Sequence, residues 1–374
     1  MQIPFVDLKA QYARLKPEID ARIQRVLDHG QFIMGPEVRE LETALASHSG
    51  ARHAVGLSSG SDALLVPLLA SNIGRGGAVF LPSFTFTATA EMILLAGATP
   101  VFVDVDAQTF NMDPLDLDRK IKRVAAAGDL VPRAVIAVDL FGLPADYAKI
   151  GVIAKQHNLL MIADAAQSFG ADAAGRMVGT LAEVTAISFF PAKPLGGYGD
   201  GGALLTDNDE LAALYRSVRS HGQGEDKYDI VRLGLNARLD TLQAAILLAK
   251  LGVFTDEIAS RRKLADYYDA RLTQYLTTPV RVEGANSAWA QYTVQCDDRE
   301  ALRTALGKAG IPTAIYYPRP MHLQPAYAAW GDGEGSLLVS EALAGRVLSL
   351  PMHPYMSEET AELICRAVIE AVSR

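Results

Sequence analysis

Short apolar segments alternate with segments of helical periodicity through the middle of the chain. The apolar segments are rich in β-branched residues and predict strands at 54–57, 78–81, 100–105, 134–140, 159–163, 185–190 and 203–206. Helical patterns lie between several of them, at 62–69, 88–96, 115–127, 147–157 and 210–219. Strands that are apolar on both faces and alternate with helices predict an α/β fold with a mostly parallel central sheet covered on both sides. Ligands bind such sheets beyond the carboxyl ends of the strands.

The pattern changes after residue 240. It predicts long helices at 241–252 and 257–276, short strands at 288–295 and 313–317, and a last helix at 357–372. This order of long helices and short strands is typical of a smaller α+β domain that follows the sheet domain. Because 374 residues exceed the usual size of one domain, we predict a large domain of residues 1–250 and a small C-terminal domain of residues 251–374.

Composition and charge exclude several classes of protein. A formal net charge of −8 argues against general nucleic-acid binding, which needs a basic face. No apolar run approaches the roughly 18 residues that span a bilayer. The run at 244–254 is interrupted by Lys250 and predicts a buried helix face.

The two cysteines, Cys296 and Cys365, are far apart and lack the spacing of a zinc site or a disulfide framework, so no metal is predicted. The segment 1–7 lacks the basic and apolar regions of a signal peptide. Together these features predict a cytoplasmic protein.

Two residues suggest the chemistry of pyridoxal phosphate. Lys193 lies in a loop between Pro191 and Pro194 with five glycines behind it, where a desolvated amine could form a Schiff base. A solvated surface lysine is the alternative. Asp164 ends the apolar run 159–163 and could hold a pyridine nitrogen protonated, or it could simply cap a helix.

Further polar and aromatic segments follow the predicted strands. The turn 58–62 combines serines and a glycine at a helix start and is a natural phosphate site, although many helices begin in this way. One of the aromatic residues of the segment 82–86 could stack on a flat ring or lie in the core, and Gln167 could reach a ring oxygen or complete a helix cap. The loops 235–240 and 316–322 carry Arg238 and His322 and are either cleft-lining or surface turns.

The chain resembles the DegT/DnrJ/EryC1/StrS family of pyridoxal phosphate-dependent nucleotide-sugar aminotransferases. The resemblance extends over nearly the whole length, and its motifs occur in the family's order. They lie at 4–8, 34–38, 59–64, 82–86, 164–168, 188–193, 236–240 and 317–322. The resemblance implies the fold-type I architecture and a homodimer with active sites shared between the subunits.

The resemblance also assigns roles to residues. Lys193 would bind pyridoxal 5'-phosphate covalently and act as the catalytic residue, and Asp164 would pair with the pyridine nitrogen. The other residues assigned to the cofactor are Gly60, Ser61, Asp62, Phe86, Gln167, Ser188 and, from the neighbouring subunit, Asn236. Those assigned to the substrate are Met34, Arg238, Tyr316, Tyr317 and His322.

Within the family, the segments 221–223, 227–229 and 236–247 are similar to enzymes that aminate UDP-2-acetamido-2-deoxy-3-oxo-D-glucuronate at C3. The resemblance therefore implies amino transfer from L-glutamate to a nucleotide-linked keto sugar, with Arg238 at the sugar carboxylate. The product would enter a surface polysaccharide such as the O-antigen of lipopolysaccharide.

Some relatives have His-Tyr-Pro where this chain has Tyr316, Tyr317 and Pro318, so an aminotransferase for another 3-keto or 4-keto dTDP-, GDP- or UDP-hexose is an alternative. A non-enzymatic regulator that senses the cofactor or a sugar is a second one. Lys193 argues against a sugar dehydratase, and the turn 58–62 lacks the glycine pattern of an NAD-binding enzyme.

Overall fold

The structure is a computed structural model that describes residues 3–373. Met1, Gln2 and Arg374, which belong to the outer ends of the two predicted domains, lie outside the described residues. None of the helices within 3–373 combines the length and the apolar character that crossing a membrane requires.

The elements follow one another in the predicted alternation. The strands are β1 (His53–Leu57), β2 (Gly77–Pro82), β3 (Thr99–Val103), β4 (Val131–Val138), β5 (Leu160–Asp164), β6 (Asp172–Ala173), β7 (Arg176–Met177), β8 (Val184–Ser188), β9 (Gly202–Thr206), β10 (Ala285–Asn286), β11 (Tyr292–Gln295) and β12 (Val347–Leu350). The α-helices are α1 (Leu8–His29), α2 (Pro36–Ser49), α3 (Gly60–Ala70), α4 (Thr87–Leu95), α5 (Pro114–Ala127), α6 (Tyr147–Gln156), α7 (Asp209–Arg219), α8 (Thr241–Leu251), α9 (Phe254–Leu272), α10 (Arg299–Lys308), α11 (Leu338–Arg346) and α12 (Glu358–Val372).

A seven-stranded sheet in the order β1-β9-β8-β5-β4-β2-β3 forms the centre of the molecule. Strands β3, β2, β4, β5 and β8 pair in parallel, and β9 runs antiparallel to both of its neighbours, β8 and β1. The prediction of a mostly parallel sheet is confirmed. Since only β9 is reversed among these seven strands, the other six end at the same edge of the sheet.

Side chains alternate between the two faces of the sheet and enter different cores. On β2, Val79 and Leu81 belong to a cluster that includes residues of α3 and α4, whereas Ala78 and Phe80 belong to one that includes residues of α5 and α6. All four are fully buried. This alternation has the period of two expected of a strand, and burial on both faces explains why the strands appear in the sequence as continuous apolar runs.

A separate apolar cluster lies in the C-terminal part of the chain. It is formed mainly by α9, α10, α12 and the antiparallel pair β11–β12. Helix α12 confirms the predicted last helix, but the predicted strand at 313–317 is wrong. That segment forms a loop in which Ala314 makes an isolated pairing with Ser349. The predicted boundary at residue 250 falls in the last turn of α8 and stays a prediction.

Candidate active site

A cavity of about 450 Å³ opens at the edge where the parallel strands end. The segments after β1, β2, β5 and β8 all contribute to its walls. Of the residues predicted to bind cofactor or substrate, those that line it are Gly60, Ser61, Phe86, Asp164, Gln167, Ser188, Lys193, Tyr316 and Tyr317. The topology therefore brings together side chains that lie more than 100 residues apart in the sequence.

Asp164 is the last residue of β5 and is buried within the cavity wall. The hydroxyl of Thr89 donates a hydrogen bond to its Oδ2 atom at 2.9 Å, and the backbone N–H of Ala166 donates to Oδ1 at 3.3 Å. Burial raises the pKa of Asp164, and the Thr89 hydrogen bond and the charge of Lys193 act in the opposite direction. The carboxyl group is thus fixed in orientation at the cavity that Lys193 also lines.

Lys193 lies in the loop after β8 and faces the same cavity. Its backbone N–H donates to the carbonyl of Phe190 at 2.8 Å, which closes a tight turn. Desolvation lowers the pKa of the Lys193 amine, while the charge of Asp164 opposes this shift. A lysine with a lowered pKa is more often neutral at a given pH, and the neutral amine is the nucleophilic form.

The turn before α3 lies against the end of β8. Ser59 caps the helix by accepting a hydrogen bond from the N–H of Asp62 at 3.0 Å. A Cβ atom on Gly60 would lie 2.7 Å from the Cβ of Ser188, so only glycine allows this approach. The N-terminus of α3 thereby lies at the cavity, which Ser61 and Ser188 also line, and a helix N-terminus with serines beside it suits an anion.

Asp62 differs from its neighbours in the turn. Its carboxylate accepts hydrogen bonds from the hydroxyls of Ser58 and Ser59, and the residue does not line the cavity. The side chain therefore stabilises the turn. Because a carboxylate repels a phosphate, the Asp62 side chain would not itself provide the predicted contact with the cofactor phosphate.

Aromatic and amide side chains form the opposite wall. The rings of Phe86 and Tyr317 have centroids 6.2 Å apart, and Phe86 is 55% exposed, so one of its faces is free for a flat ligand. Gln167 accepts a hydrogen bond from the N–H of Phe141 at 2.6 Å, and its amide nitrogen lies 3.5 Å from the Tyr317 hydroxyl. Burial raises the pKa of Tyr317, which keeps the phenol protonated.

His322 is directed away from the cavity, so the structure does not support its predicted contact with substrate. The histidine is 1% exposed, and its Nδ1 atom lies 2.7 Å from the hydroxyl of Ser83. Its Nε2 atom lies 3.1 Å from Glu341, and the ring borders a different cavity of about 310 Å³. A loop pattern alone cannot distinguish a cleft residue from one that joins two packed segments.

Met34, Asn236 and Arg238 also lie outside the cavity of their own chain. Met34 packs against the core cluster that includes α2 and α8. Asn236 accepts two hydrogen bonds from the Arg238 guanidinium, at 3.0 and 2.7 Å, and both groups are accessible to solvent. A single copy of the chain does not bring these side chains to Lys193.

The structure adds residues that the sequence did not single out. Thr89 orients Asp164, and Gln291 lines the cavity with its Oε1 atom buried and without a hydrogen-bond partner. Neither lies in a motif, and only the fold brings α4 and the segment before β11 to the cavity. Residues 3–373 contain no group of three or more His, Cys, Asp or Glu side chains that could hold a metal ion.

The sequence of the chain matches one protein family. The model of the DegT/DnrJ/EryC1/StrS aminotransferase family matches residues 13–369. A UDP-2-acetamido-2-deoxy-3-oxo-D-glucuronate aminotransferase of Pseudomonas aeruginosa is 47% identical, with 98% of this chain and 99% of the relative covered. A pleiotropic regulatory protein of Geobacillus stearothermophilus is 42% identical, with 99% and 98% covered.

Solved structures agree with this match. A DegT DnrJ EryC1 StrS aminotransferase from Brucella abortus superposes with a TM-score of 0.98 at 46% identity, and all of both chains is covered. NtdA from Bacillus subtilis, solved with bound cofactor PMP, superposes with a TM-score of 0.88 at 28% identity. The superposition covers 100% of this chain and 86% of the NtdA chain. The expected fold-type I architecture and the expected resemblance are both confirmed.

Proposed function

The chain belongs to the DegT/DnrJ/EryC1/StrS aminotransferase family, and from this premise we propose which amino transfer it performs. The amino group moves from L-glutamate to C3 of a UDP-linked 3-oxo sugar acid, UDP-2-acetamido-2-deoxy-3-oxo-D-glucuronate, with pyridoxal 5'-phosphate as cofactor. The observation that carries the proposal is the pair of Lys193 and Asp164 in one cavity at the carboxyl edge of the sheet.

The residues present in the cavity fit pyridoxal phosphate. Its volume of about 450 Å³ lies within the range of small-ligand sites. A cradle that an added Cβ on Gly60 would fill, beside the N-terminus of α3, suits the phosphate, with Ser61 and Ser188 as donors. Phe86 offers a free face for the ring, and Gln167 lies where an amide could reach a ring oxygen. The Bacillus subtilis relative with PMP supports this assignment.

When bound, pyridoxal phosphate supplies an electron sink for carbon–hydrogen bond cleavage at the amino-bearing carbon. Lys193 would hold the cofactor between reactions. Once released, its Nζ atom would accept the proton from the α-carbon of glutamate and return it later, as general base and general acid. Asp164, fixed by Thr89, would keep a proton on the pyridine nitrogen through its carboxylate.

Asn236 and Arg238 would act in the cavity of a second copy of the chain. The two side chains are adjacent and accessible, yet they do not reach their own cavity. Exposed apolar side chains lie beside this segment. Leu233 is 93% exposed, and Ile33, whose backbone pairs with that of Asp240, is 48% exposed. An apolar surface of this kind beside an incomplete site supports a homodimer with shared active sites.

Arg238 would provide the selectivity for an acidic sugar. Its guanidinium can bind a carboxylate through two parallel hydrogen bonds, which matches the C6 carboxylate of a glucuronate. Tyr316 and Tyr317 line the cavity and would contact the rest of the sugar. The Pseudomonas aeruginosa relative supports this choice of substrate. A cytoplasmic location and a product used for surface polysaccharide, such as an O-antigen, complete the proposal.

A panel of UDP-linked 3-oxo sugars with and without the C6 carboxylate tests the proposal. The protein is loaded with pyridoxal phosphate, and the release of 2-oxoglutarate from glutamate is followed. We expect the acidic sugar to be preferred. Arg238→Gln should lower kcat/KM for the acidic sugar by about 10- to 100-fold, the value of a hydrogen-bonded charge pair, and leave the neutral sugar unaffected.

Lys193→Ala is the control for the chemistry and should abolish turnover of both sugars. Equal rates for the two sugars in the wild-type protein would overturn the role of Arg238. Binding of pyridoxal phosphate without any release of 2-oxoglutarate across dTDP-, GDP- and UDP-linked keto sugars would favour a regulatory protein instead.

A further inference from the structure

Two side chains of helix α8 hold the loop that carries Lys193. The amide oxygen of Gln243 accepts a hydrogen bond from the N–H of Tyr198 at 2.8 Å. The ammonium of Lys250 donates to the carbonyl of Gly196 at 2.6 Å. Residues seven apart lie on the same face of a helix two turns away from each other, so α8 fixes the far side of the loop at two points.

Hydrogen bonds within the loop connect these two fixed points to Lys193. The N–H of Gly197 donates to the carbonyl of Phe189, and that of Lys193 donates to the carbonyl of Phe190, both at 2.8 Å. A Cβ on Gly196 would lie 2.4 Å from the carbonyl oxygen of Pro191, so the two sides of the loop touch. A displacement of Gly196 therefore displaces the turn that begins with Phe190 and orients Lys193.

Lys250 is an unusual residue for this position because its charged end is buried. The residue is 1% exposed, and its Nζ atom lies 4.0 Å from the centroid of the Tyr198 ring, in cation–π contact. Burial lowers the pKa of Lys250 to about 8, with the charge of Glu257 acting against this shift. Desolvation of an ammonium opposes folding, and a methionine fills a similar volume without that cost. Packing alone does not account for a lysine here.

We propose that Lys250 is a positioning residue for amino transfer: by holding the Gly196 carbonyl it fixes the lysine loop, so that the Lys193 amine stays in the cavity beside Asp164. This inference rests on the proposed function and concerns a residue that touches neither the cavity nor its expected ligands. Gln243 acts through the same loop by a neutral hydrogen bond.

The test compares Lys250→Met with Gln243→Leu, which removes the second contact without changing a charge. Lys120→Met is the matched control, because Lys120 is also buried, at 7% exposure, but lies beside Asp332 away from the lysine loop. Urea unfolding first establishes that each variant is folded. Lys250→Gln replaces Lys250→Met if the latter does not fold.

The first readout uses protein without cofactor. The rate at which an amine-reactive reagent labels Lys193 is followed by peptide mass mapping from about pH 7 to about pH 11, which gives the pKa of Lys193. We expect this pKa to rise toward the ordinary lysine value in both loop variants, because the amine moves toward solvent. It should not change in Lys120→Met. Since no substrate is involved, this readout holds even if the proposed reaction is wrong.

The second readout is the reaction with glutamate. A displaced amine should lower kcat by about 10- to 100-fold in the Lys250 variant, with KM for glutamate nearly unchanged, since misplacement of a reacting group by an ångström has effects of this size. A folded Lys250 variant with the wild-type pKa of Lys193 and the wild-type kcat would overturn the inference. The same would follow if Lys120→Met produced equal changes.

Discussion

Replacing Asp139 with asparagine should remove the part of the pH dependence of folding stability that this carboxyl group contributes. Asp139 follows β4 and is completely buried. Its carboxyl group accepts hydrogen bonds from the hydroxyls of Tyr147 at 2.7 Å and Ser168 at 2.6 Å and from the N–H of Ala145 at 2.8 Å. Even so, burial raises the pKa of Asp139 from 3.8 to about 7, and the nearby charge of Asp164 adds to this shift.

The sign follows from comparing the proton content of the two states. Between the unfolded pKa of 3.8 and the folded pKa of about 7, the native state holds a proton that the unfolded state has released. The contribution to stability is therefore complete below the lower value and is lost as the pH rises through the higher one. At about 1.4 kcal/mol per pH unit, the loss between about pH 5 and about pH 8 is about 3 kcal/mol.

Asparagine imitates the protonated acid at every pH, since its amide oxygen can still accept from Ala145 and Tyr147 and its nitrogen can donate to Ser168. Urea unfolding of ligand-free protein at one concentration, at about pH 5 and about pH 8, measures the effect. Between about pH 5 and about pH 8, the free energy of unfolding should fall by about 3 kcal/mol more in the wild-type protein than in the variant. Tyr147→Phe should have the opposite effect and increase the loss of stability with rising pH. The Tyr147 hydroxyl lowers the pKa of Asp139, so its removal raises that pKa further. Parallel stability curves for wild type and Asp139→Asn would refute the reasoning.

Two further substitutions probe the walls of the cavity. Gly60→Ala should cost about 1–3 kcal/mol of folding stability and weaken the binding of pyridoxal phosphate, measured by urea unfolding and by absorbance titration, because the new Cβ would lie 2.7 Å from that of Ser188. Gly345→Ala is its control: this glycine lies in α11 with nothing within 4 Å of an added Cβ, so alanine should stabilise the protein by about 0.5–1 kcal/mol. Thr89→Val should remove the hydrogen bond to Asp164 and raise the pKa of that carboxyl further. Because the protonated acid pairs less well with a pyridine nitrogen, the affinity for pyridoxal phosphate should fall while the circular dichroism spectrum stays unchanged.

The central sheet was predictable because its strands are buried on both faces and therefore stand out as apolar runs. Helices α1 and α2 were not predicted. Along the 22 residues of α1, the buried positions are Gln11, Leu15, Ile19 and Val26, and Pro17 lies inside the helix. Tyr12, Leu15, Ile19, Ile23 and Val26 nevertheless recur at helical spacing. The signal for α1 was therefore present in the sequence, and only its packing against α8 required the structure.

The cavity residues were predictable for a topological reason. Asp164 and Ser188 end two adjacent parallel strands, β5 and β8, and Lys193 follows in the next loop. Any chain that buries these strands in parallel must place such residues at one edge of the sheet. Thr89 reaches the same point from within a helix, where no local pattern distinguishes a buried threonine that supports an acid from one that packs.

The position of Asn236 and Arg238 gives an independent argument for a site made by two copies of the chain. The segment runs along the outer side of β1, an edge strand of the sheet, with the N–H of Ser58 donating to the carbonyl of Ala237 and with Arg238 paired to Leu57. Side chains alternate in such an extended segment, and Ala237 takes the buried position at 1% exposure. Asn236 and Arg238 must then point away from the core of their own chain, and moving them inward would expose Ala237 and break the pairing with β1. If Arg238 binds the substrate carboxylate, as proposed, this register requires it to do so in the cavity of a neighbouring copy, so the proposals for Arg238 and for the homodimer stand or fall together.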